Sequence, residues 1–398
     1  MHVLILPSWY PETPDDVDGI FFRQQAQALQ RAGLTVGVIA PQFRSMRGRP
    51  DTLFSTQYGF RQYVEQDVPT FVYQTMYFFP RMRIDRDRWV RVGKKLFARY
   101  VAQHGKPDIL HAHCMNHAGI LAHAIHQETG IPYVITEHST TYARKLIHDW
   151  QWPAMQPAAE KAAARLAVSK EFCSLLQNEY KGLSWAYLPN ILSAKFEAPV
   201  DLSAKPQNEH FTFCSVAHLQ HKKGFDILLP AFAEALKTRP GLKLKIGGTG
   251  PEEAGLRQLA ANLNLGDSVA FLGGLKNEEV LRLMYESDAF VLASRIETFG
   301  VVFIEALAQG LPVLATRCGG PESIVTESNG LLVPSENQQA LTEGLLKLHD
   351  NHRQYIPEQL RQACLAEFGE HSVVAQLMAT YRAATSHEIA LDRPKREN

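Results

Sequence analysis

Residues 295–307 read Arg-Ile-Glu-Thr-Phe-Gly-Val-Val-Phe-Ile-Glu-Ala-Leu and decide how this chain folds. The apolar run directly before them, residues 289–293, is short and continuous, which is typical of a parallel strand covered on both faces. In an open α/β sheet a ligand binds at the carboxyl ends of such strands. We therefore expect a binding site where this stretch begins.

The same stretch predicts a helix capped by the side chain of Thr298. Its first amides would belong to residues 299–301, and free N–H groups at the positive end of a helix attract phosphate oxygens. Glu297 precedes the helix and Glu305 lies about two turns into it, so the two carboxylates could bind different hydroxyls of one elongated ligand. The stretch favours a diphosphate-linked sugar; the plainer alternative is an amphipathic helix with two solvated glutamates.

The flanking motifs make the pattern specific. Residues 310–316 predict another buried strand, residues 319–323 predict a tight turn, and residues 215–224 run from a strand to Lys223-Gly224. In this order the motifs resemble the retaining GT-B glycosyltransferases of family four (glycosyl transferases group one), whose signature is Glu, seven residues, Glu. The first half of the chain carries weaker matches at residues 18–21, 108–113 and 136–138.

The resemblance implies an α/β chain with the GT-B fold, in which two facing Rossmann-like domains with parallel sheets enclose an interdomain cleft. The alternation of strand and helix patterns along both halves also predicts parallel sheets covered by helices. We expect an acceptor-binding domain at 1–190, a linker at 191–208 and a donor-binding domain at 209–370. The last segment, 371–398, would be a helix that packs back on the first domain, followed by a polar tail.

Family roles can be assigned to matching residues around the predicted donor diphosphate. By the resemblance, Lys223 would neutralise the diphosphate, while the amides of Phe299, Gly300 and Val301 would hold its oxygens. Glu305 would bind the ribose. The resemblance thus implies that charge on the leaving diphosphate is stabilised without a metal ion or other cofactor.

The transferred sugar would be held from both domains. Glu297 would contact its hydroxyls, His138 would reach it from the opposite domain, and Gly19 would close over the phosphate. His218 departs from the family, which usually has an arginine five residues before the lysine. An imidazole, with an ordinary pKa near 6.5, would be fully charged there only if the diphosphate raised its pKa.

The resemblance implies transfer of a sugar from a nucleotide diphosphate sugar to a hydroxyl acceptor with retention of configuration. A UDP-sugar is favoured as donor and a GDP-sugar is the alternative. The acceptor would be a carbohydrate or a lipid-linked molecule of cell-surface polysaccharide or glycolipid biosynthesis. A nucleotide-sugar epimerase, a sugar phosphorylase or a non-catalytic nucleotide-sugar-binding protein are competing hypotheses.

Composition narrows the class of protein. Lys and Arg together number 41, equal to Asp and Glu, so no global basic field indicates a nucleic-acid partner. The apolar run at 3–6 is too short for a signal peptide, and no run approaches the length of a membrane-spanning helix. The five cysteines are odd in number and widely spaced, which predicts reduced thiols in a cytoplasmic protein.

Residues 71–100 combine aromatic and basic character. An aromatic-rich run at 71–79 precedes a predicted amphipathic helix at 81–99 that is rich in Arg and Lys. The pair could lie on an anionic membrane surface, at the inner face of the membrane. The equally weighted alternative is a helix packed on the sheet with a solvated basic face.

Three other motifs have plainer interpretations. The loop 247–251 resembles a dinucleotide fingerprint, but Glu253 stands where the third glycine should be. His111, His113, Cys114 and His117 could bind zinc by spacing, yet no partner pair follows, so polar lining is the preferred reading. The acidic pair around Arg86 lies within the basic helix, and its match to a metal-binding motif is attributed to chance.

Overall fold

The computed structural model describes residues 1–12, 16, 19–45, 57–79, 82–206 and 208–391, with side chains up to residue 386 in the last helix. The chain divides into two compact units. The first comprises residues 1–168, 173–191 and the segment from 373 onward, and the second comprises residues 169–172 and 192–372.

The first unit is built on an eight-stranded sheet in the order β3-β4-β2-β1-β5-β6-β7-β8. All its neighbouring strands are parallel except β3 and β4. The strands are β1 His2–Pro7, β2 Thr35–Arg44, β3 Gly59–Glu65, β4 Val68–Met76, β5 Ile109–His113, β6 Tyr133–Glu137, β7 Ala164–Ala167 and β8 Ala186–Tyr187. The parallel order places the carboxyl ends of β1 and β5 side by side.

The antiparallel strand β3 was not expected from the sequence. A two-residue loop, Gln66 and Asp67, joins it to β4, and both residues have positive φ, 47° and 62°. Positive φ at both central positions is the type I′ hairpin turn, which normally uses Asn-Gly or Asp-Gly. The predicted parallel sheet is confirmed, and it carries one additional antiparallel edge strand that the sequence did not indicate, because Gln66 and Asp67 are not the usual residues of such a turn.

Helices cover this sheet, and the end of the chain completes its core. They are α1 Ile20–Arg31, α2 Arg83–His104, α3 Ile120–Thr129, α4 Trp152–Lys161, α5 Lys170–Glu179 and α13 Glu370–Leu391. From α13, Val373, Leu377 and Tyr381 are fully buried with β1 and β2 side chains. The hydroxyl of Tyr381 lies 2.7 Å from Nδ1 of His111 on β5.

The second unit contains a six-stranded, wholly parallel sheet in the order β11-β10-β9-β12-β13-β14. Its strands are β9 Thr212–Val216, β10 Lys243–Gly247, β11 Val269–Gly273, β12 Ala289–Leu292, β13 Val313–Arg317 and β14 Gly330–Pro334. Its helices are α6 Ala194–Glu197, α7 Phe225–Thr238, α8 Glu253–Asn262, α9 Asn277–Tyr285, α10 Val301–Ala308, α11 Gln338–Asn351 and α12 Pro357–Phe368. The strand order reverses between β9 and β12, which is where such sheets bind ligands.

No helix in the described part of the chain combines the length and the hydropathy that a membrane span requires. None of the five cysteines forms a disulfide bond.

Candidate functional site

The loops after β9 and β12 meet at the switch point of the second sheet. A short 3-10 turn at His221–Lys223 follows β9 and ends at Gly224, whose φ is 69°. A Cβ atom on Gly224 would lie 1.9 Å from the carbonyl oxygen of Ala293, which follows β12. Only glycine permits both this backbone conformation and this close approach, and the approach brings Lys223 to the end of β12.

Lys223 and Glu297 form an ion pair at this point. Nζ of Lys223 donates to Oε1 of Glu297, and the side chains are only 17% and 12% exposed. The hydroxyl of Ser294 donates to the same carboxylate oxygen at 2.9 Å. The structure thus joins two predicted site residues directly. Low exposure limits screening by solvent, so each charge strongly orients the other.

Arg295 fixes the loop that carries Lys223. Its guanidinium donates to both carboxylate oxygens of Asp226, at 2.8 and 2.9 Å, and to the carbonyl of His221 at 2.6 Å. These hydrogen bonds lower the pKa of Asp226 below its ordinary value. The sequence offered no signal for this role, because the partners lie about seventy positions away and become neighbours only in the parallel sheet.

The turn after β13 holds the backbone of Glu297. The amide of Glu297 donates to the carbonyl of Cys318 at 3.2 Å, and the Glu297 carbonyl accepts from the amide of Gly320 at 2.8 Å. The carboxylate of Glu322 in turn accepts from the amides of Cys318 and Gly319, at 3.2 and 3.0 Å. Glu322 is a second positioning residue that sequence reasoning did not single out.

Helix α10 begins later than the sequence predicted. Its N-cap is Gly300, with φ 101° and ψ 62°, and the first helical residue is Val301. The prediction that Thr298 caps the helix is therefore wrong, and Phe299, whose side chain is 1% exposed, lies before the first turn. The amide of Phe303 already donates to the Gly300 carbonyl, so the amides left by helix geometry are those of the N-cap Gly300 and of residues 301–302.

The physical reason for the shift is the left-handed conformation of Gly300. A Cβ atom at this position would lie 2.7 Å from the ring of Phe303. The backbone therefore turns sharply at the glycine and enters the helix after it. The close approach to a phosphate that was expected at this glycine remains compatible with its lack of a side chain.

Glu305 lies on α10 in partly buried surroundings. Within the described residues its carboxyl group has no hydrogen-bond or ion-pair partner. Burial raises its pKa to about 7. A carboxylate without a partner at this depth is suited to accept hydrogen bonds from ligand hydroxyls.

His218 is exposed on the loop after β9. The loop backbone pairs with the glycine-rich segment after β10: the amide of Leu219 donates to the carbonyl of Thr249 at 2.9 Å. A Cβ atom on Gly248 would lie 1.9 Å from the Ala217 carbonyl oxygen. The glycines of this segment thus allow two backbones to pack together, which accounts for the motif without a dinucleotide.

Gly19 and His138 belong to the first unit. Gly19 is the N-cap of α1 with φ 78°, and a Cβ atom there would lie 2.9 Å from the ring of Trp9. Nε2 of His138, which follows β6, lies 3.0 Å from Nδ1 of His113. Burial lowers the pKa of His138 to about 3, so the imidazole is neutral at physiological pH.

The histidines at the end of β5 are held by protein groups. Nε2 of His111 lies 2.8 Å from the Thr136 hydroxyl, its Nδ1 faces the Tyr381 hydroxyl, and His113 pairs with His138. Across the described residues, no three His, Cys, Asp or Glu side chains are arranged to hold a metal ion. The zinc alternative at residues 111–117 thus has no support from this arrangement.

Comparisons with known proteins agree with this architecture. The family model described as Glycosyltransferase Family 4 matches residues 19–186, and the model described as Glycosyl transferases group 1 matches residues 202–363. A putative teichuronic acid biosynthesis glycosyltransferase, TuaC of Bacillus subtilis, is 27% identical over 97% of both chains. An alpha-monoglucosyldiacylglycerol synthase of Streptococcus pneumoniae is 28% identical over 68% of this chain and 66% of its own.

Solved structures show the same fold. Sucrose-phosphate synthase from Thermosynechococcus elongatus superposes with a TM-score of 0.75 at 21% identity, covering 97% of this chain and all of its own. HepE of Anabaena, solved in complex with UDP, gives a TM-score of 0.71 at 19% identity, over 96% of this chain and all of its own. Two Rossmann-like units, both family models and these structural likenesses lead to one conclusion: the chain belongs to the group 1, family four glycosyltransferases with the GT-B fold.

Proposed function

We propose that this protein is a retaining, metal-independent glycosyltransferase that moves a sugar from a nucleotide diphosphate sugar to a hydroxyl acceptor. The observation that carries the proposal is the Lys223–Glu297 ion pair at the switch point of the second sheet, beside the first turn of α10. A cation and helix amides are the groups that would stabilise a leaving diphosphate, and the neighbouring carboxylate would hold the sugar, which supports the proposal.

Bond breaking in this reaction builds negative charge on the diphosphate. Lys223 would shift from Glu297 toward that charge, and the amides of Gly300 and Val301 would hold the oxygens. These groups stabilise the leaving group more than the ground state, because the charge on the bridging oxygen grows only as the bond breaks. With a lysine and helix amides in this role, the reaction does not require a divalent metal.

Glu297 would position the transferred sugar and stabilise positive character at its anomeric carbon. Ser294 and the backbone of residues 318–320 hold this glutamate in place, so it need not reorganise during the reaction. Glu305 would accept hydrogen bonds from the ribose hydroxyls. His138, neutral because of burial, would act as a hydrogen-bonding group rather than as a charge.

The donor is proposed to be a UDP-sugar, with a GDP-sugar as the alternative. The support is the likeness to HepE, which was solved with UDP and with UDP-glucose. Thermal unfolding with UDP, GDP and ADP separates these bases, because stabilisation grows with the logarithm of ligand saturation. The largest shift should come from UDP, and a larger shift from GDP would reassign the donor.

The acceptor is proposed to belong to cell-surface polysaccharide or glycolipid biosynthesis. The support is the likeness to TuaC, named for teichuronic acid biosynthesis, and to the alpha-monoglucosyldiacylglycerol synthase. The second name describes a sugar carried on diacylglycerol, which supports a lipid-linked acceptor. Such an acceptor fits a protein that works at a membrane surface.

An apolar tip in the first unit supports contact with an anionic membrane. Phe78, Phe79, Met82 and Ile84 are 67%, 53%, 56% and 52% exposed, and basic side chains follow them along α2. The amide of Phe79 donates to the buried carboxylate of Asp85 at 2.5 Å, which holds the tip against the helix. Asp85 thus has a structural role here. Arg81 of the predicted basic helix lies outside the described residues.

Vesicle sedimentation tests this membrane contact. Binding to vesicles with anionic lipid should be strong at low salt and weaken at high salt, because the basic residues act through screened charge. Changing Phe78 and Phe79 together to Ser should abolish binding. Ile356→Ser, at a residue 46% exposed in the second unit, is the matched control and should leave binding unchanged. Equal binding by all three proteins would remove the membrane proposal.

Product analysis tests the reaction itself. Incubation with donor and acceptor in the presence of EDTA should yield a glycoside whose anomeric configuration, followed by NMR, matches that of the donor. Inversion would exclude the retaining mechanism, and loss of turnover in EDTA would exclude metal independence. A sugar phosphate or an epimerised donor as the main product would favour a phosphorylase or an epimerase.

A further inference from the structure

The first unit contains a cavity of about 350 Å³ that none of the proposed donor residues lines. It lies beside the carboxyl ends of β1, β2, β4 and β5. Aromatic side chains, among them Trp9, Phe43 and Tyr77, form part of its wall, and amides, hydroxyls and one ion pair form the rest. This size and mixture are ordinary for a small-molecule site, in which a few polar groups fix the orientation of the ligand.

Two buried glutamines of this wall have carbonyl oxygens without a partner. Gln42 on β2 and Gln74 on β4 are register partners in the sheet and are 7% and 1% exposed. Nε2 of Gln42 donates to the carbonyl of Tyr10 at 2.8 Å, and Nε2 of Gln74 donates to Oε1 of Glu12 at 3.3 Å. Among the described residues, neither Oε1 atom receives a hydrogen bond.

These two oxygens identify the kind of group that the cavity accepts. Because both amide nitrogens are already committed, flipping either amide would break a hydrogen bond. An unpaired buried acceptor is costly, and neighbouring acceptors at one wall call for a ligand with neighbouring donors. Adjacent hydroxyls of a sugar ring meet that requirement, while the ring's C–H faces can pack on the aromatic wall.

The charges in the cavity select against an acidic ligand. Arg44 is bound by the carboxylate of Glu12, with Nε donating to Oε1 at 3.1 Å. The carboxylate of Glu137 accepts three hydrogen bonds, from the backbone amides of Met115, His138 and Ser139. The wall therefore carries two carboxylates, of Glu12 and Glu137, and one cation, Arg44, which is already paired. This excess of negative charge disfavours binding of a phosphate or a uronate.

The one imidazole on this wall adds no positive charge. Burial lowers the pKa of His117 to about 4, so the ring is neutral at physiological pH. The charge balance of the described wall therefore favours an uncharged ligand.

A second cavity, of about 470 Å³, continues from the first. The two share Tyr77, Asn116, His117 and Thr141 as lining residues. The second cavity also reaches Leu146, Trp150 and Met82, and Met82 belongs to the exposed apolar tip. A ligand with a sugar at one end and an apolar group at the other could therefore occupy both.

We propose that the first cavity binds a neutral sugar ring of the acceptor, recognised by Gln42 and Gln74, and that the second receives the apolar aglycone to which this sugar is attached. The inference rests on the proposed function and specifies the acceptor's chemistry. It places the aglycone on the side of the molecule where the apolar tip is exposed.

Binding of simple glycosides to the full chain, in the presence of saturating UDP, tests the inference. The probes are methyl and octyl glycosides of glucose, galactose, mannose, N-acetylglucosamine and N-acetylgalactosamine, with methyl glucuronide and glycerol 3-phosphate as anions. Saturation-transfer NMR and titration calorimetry give the affinities. At least one neutral octyl glycoside should bind about tenfold or more tightly than its methyl counterpart, and both anions should bind more weakly than it.

Substitutions assign the binding to this cavity. Gln42→Met and Gln74→Met keep the length of the side chain and remove the carbonyl oxygen, so each should weaken the best glycoside about tenfold. Gln376→Met, at an exposed position on α13, is the matched control and should leave affinity unchanged. All three variants should bind UDP as the parent does, and their circular dichroism spectra should match that of the parent, which shows that the first unit is folded.

The outcomes separate this inference from the proposed function. UDP binding without binding of any neutral glycoside, preference for an anion, or unchanged affinity in both glutamine variants would overturn the inference and leave the function standing. Absence of nucleotide binding and of sugar transfer, with glycoside binding retained, would overturn the proposed function instead.

Discussion

Glu305→Gln is expected to stabilise the protein at alkaline pH. The carboxyl group lies on α10 with no partner among the described residues, and burial raises its pKa from 4.5 to about 7. Native protein therefore binds a proton more tightly than unfolded chain. Because the native state holds more protons between pH 4.5 and 7, the free energy of unfolding falls as pH rises through this window and levels off above it.

The magnitude follows from the size of the shift. Each pH unit of difference between native and unfolded pKa corresponds to about 1.4 kcal/mol, so the ionised group costs at most about 3 kcal/mol above pH 7. Glutamine has nearly the same shape and carries no charge. The variant should therefore lack this pH dependence and gain up to about 3 kcal/mol at pH 8, with little change at pH 4.5.

Urea unfolding at pH 4.5, 6 and 8, followed by intrinsic fluorescence, measures the effect. Glu327→Gln, at an exposed glutamate in the turn before β14, is the control and should follow the parent at every pH. If the curves of Glu305→Gln and parent run parallel across the three pH values, burial does not destabilise the carboxylate and the reasoning fails.

The same variant should bind UDP more weakly although it folds more stably. A carboxylate accepts hydroxyl hydrogen bonds more strongly than an amide does, so we expect about a tenfold loss of affinity at pH 8, measured by calorimetry. Unchanged affinity would remove Glu305 from the proposed ribose contact.

Three further substitutions test the parts of the site. Lys223→Met removes the group proposed to stabilise the leaving diphosphate and leaves Glu297 without its cation, so kcat at saturating donor should fall about 10²- to 10³-fold; a change of less than threefold would contradict its role. Gly224→Ala forces a side chain into a backbone carbonyl and should destabilise by about 2 kcal/mol or more in calorimetric melting, whereas Gly255→Ala, whose Cβ would meet nothing, should not. Arg295→Gln removes the hydrogen bonds to Asp226 and His221 that hold the loop carrying Lys223, so kcat should fall about tenfold or more and nucleotide affinity should decrease. Unchanged kcat and KM would show that these hydrogen bonds are not needed for turnover.

The strands of the second sheet could be predicted because each is a short apolar run, and a short apolar run in a sequence indicates a buried strand. The beginning of α10 could not, because Thr298 carries the usual capping side chain, whereas the actual N-cap is Gly300 in a left-handed conformation, where a Cβ atom would collide with the ring of Phe303. Strand β3 was not predicted for a related reason. Its hairpin turn consists of Gln66 and Asp67, which adopt left-handed conformations although neither is a glycine.

The candidate site divides in the same way. Lys223 and Glu297 could each be assigned to the candidate site from the sequence, because each follows a strand and the order of their motifs resembles a family; their ion pair was not predicted. The hydrogen bonds of Arg295 with Asp226, and those of Glu322 with backbone amides, could not be predicted, because such tertiary hydrogen bonds leave no pattern in the local sequence. The unpaired oxygen atoms of Gln42 and Gln74 could not be predicted either, because a polar residue in a strand is normally interpreted as exposed.

The first unit is made from separate segments of the chain, and this determines when its core can be completed during synthesis. Val373 and Tyr381 belong to its core, so that core stays incomplete until α13 has left the ribosome, even though β1 is made long before it. Residues 192–372 need no later segment and can fold while the chain is still being translated. The core of the first unit is thus completed in the reverse of the order of synthesis, and loss of α13 would destabilise a unit whose first strands are made more than three hundred residues earlier.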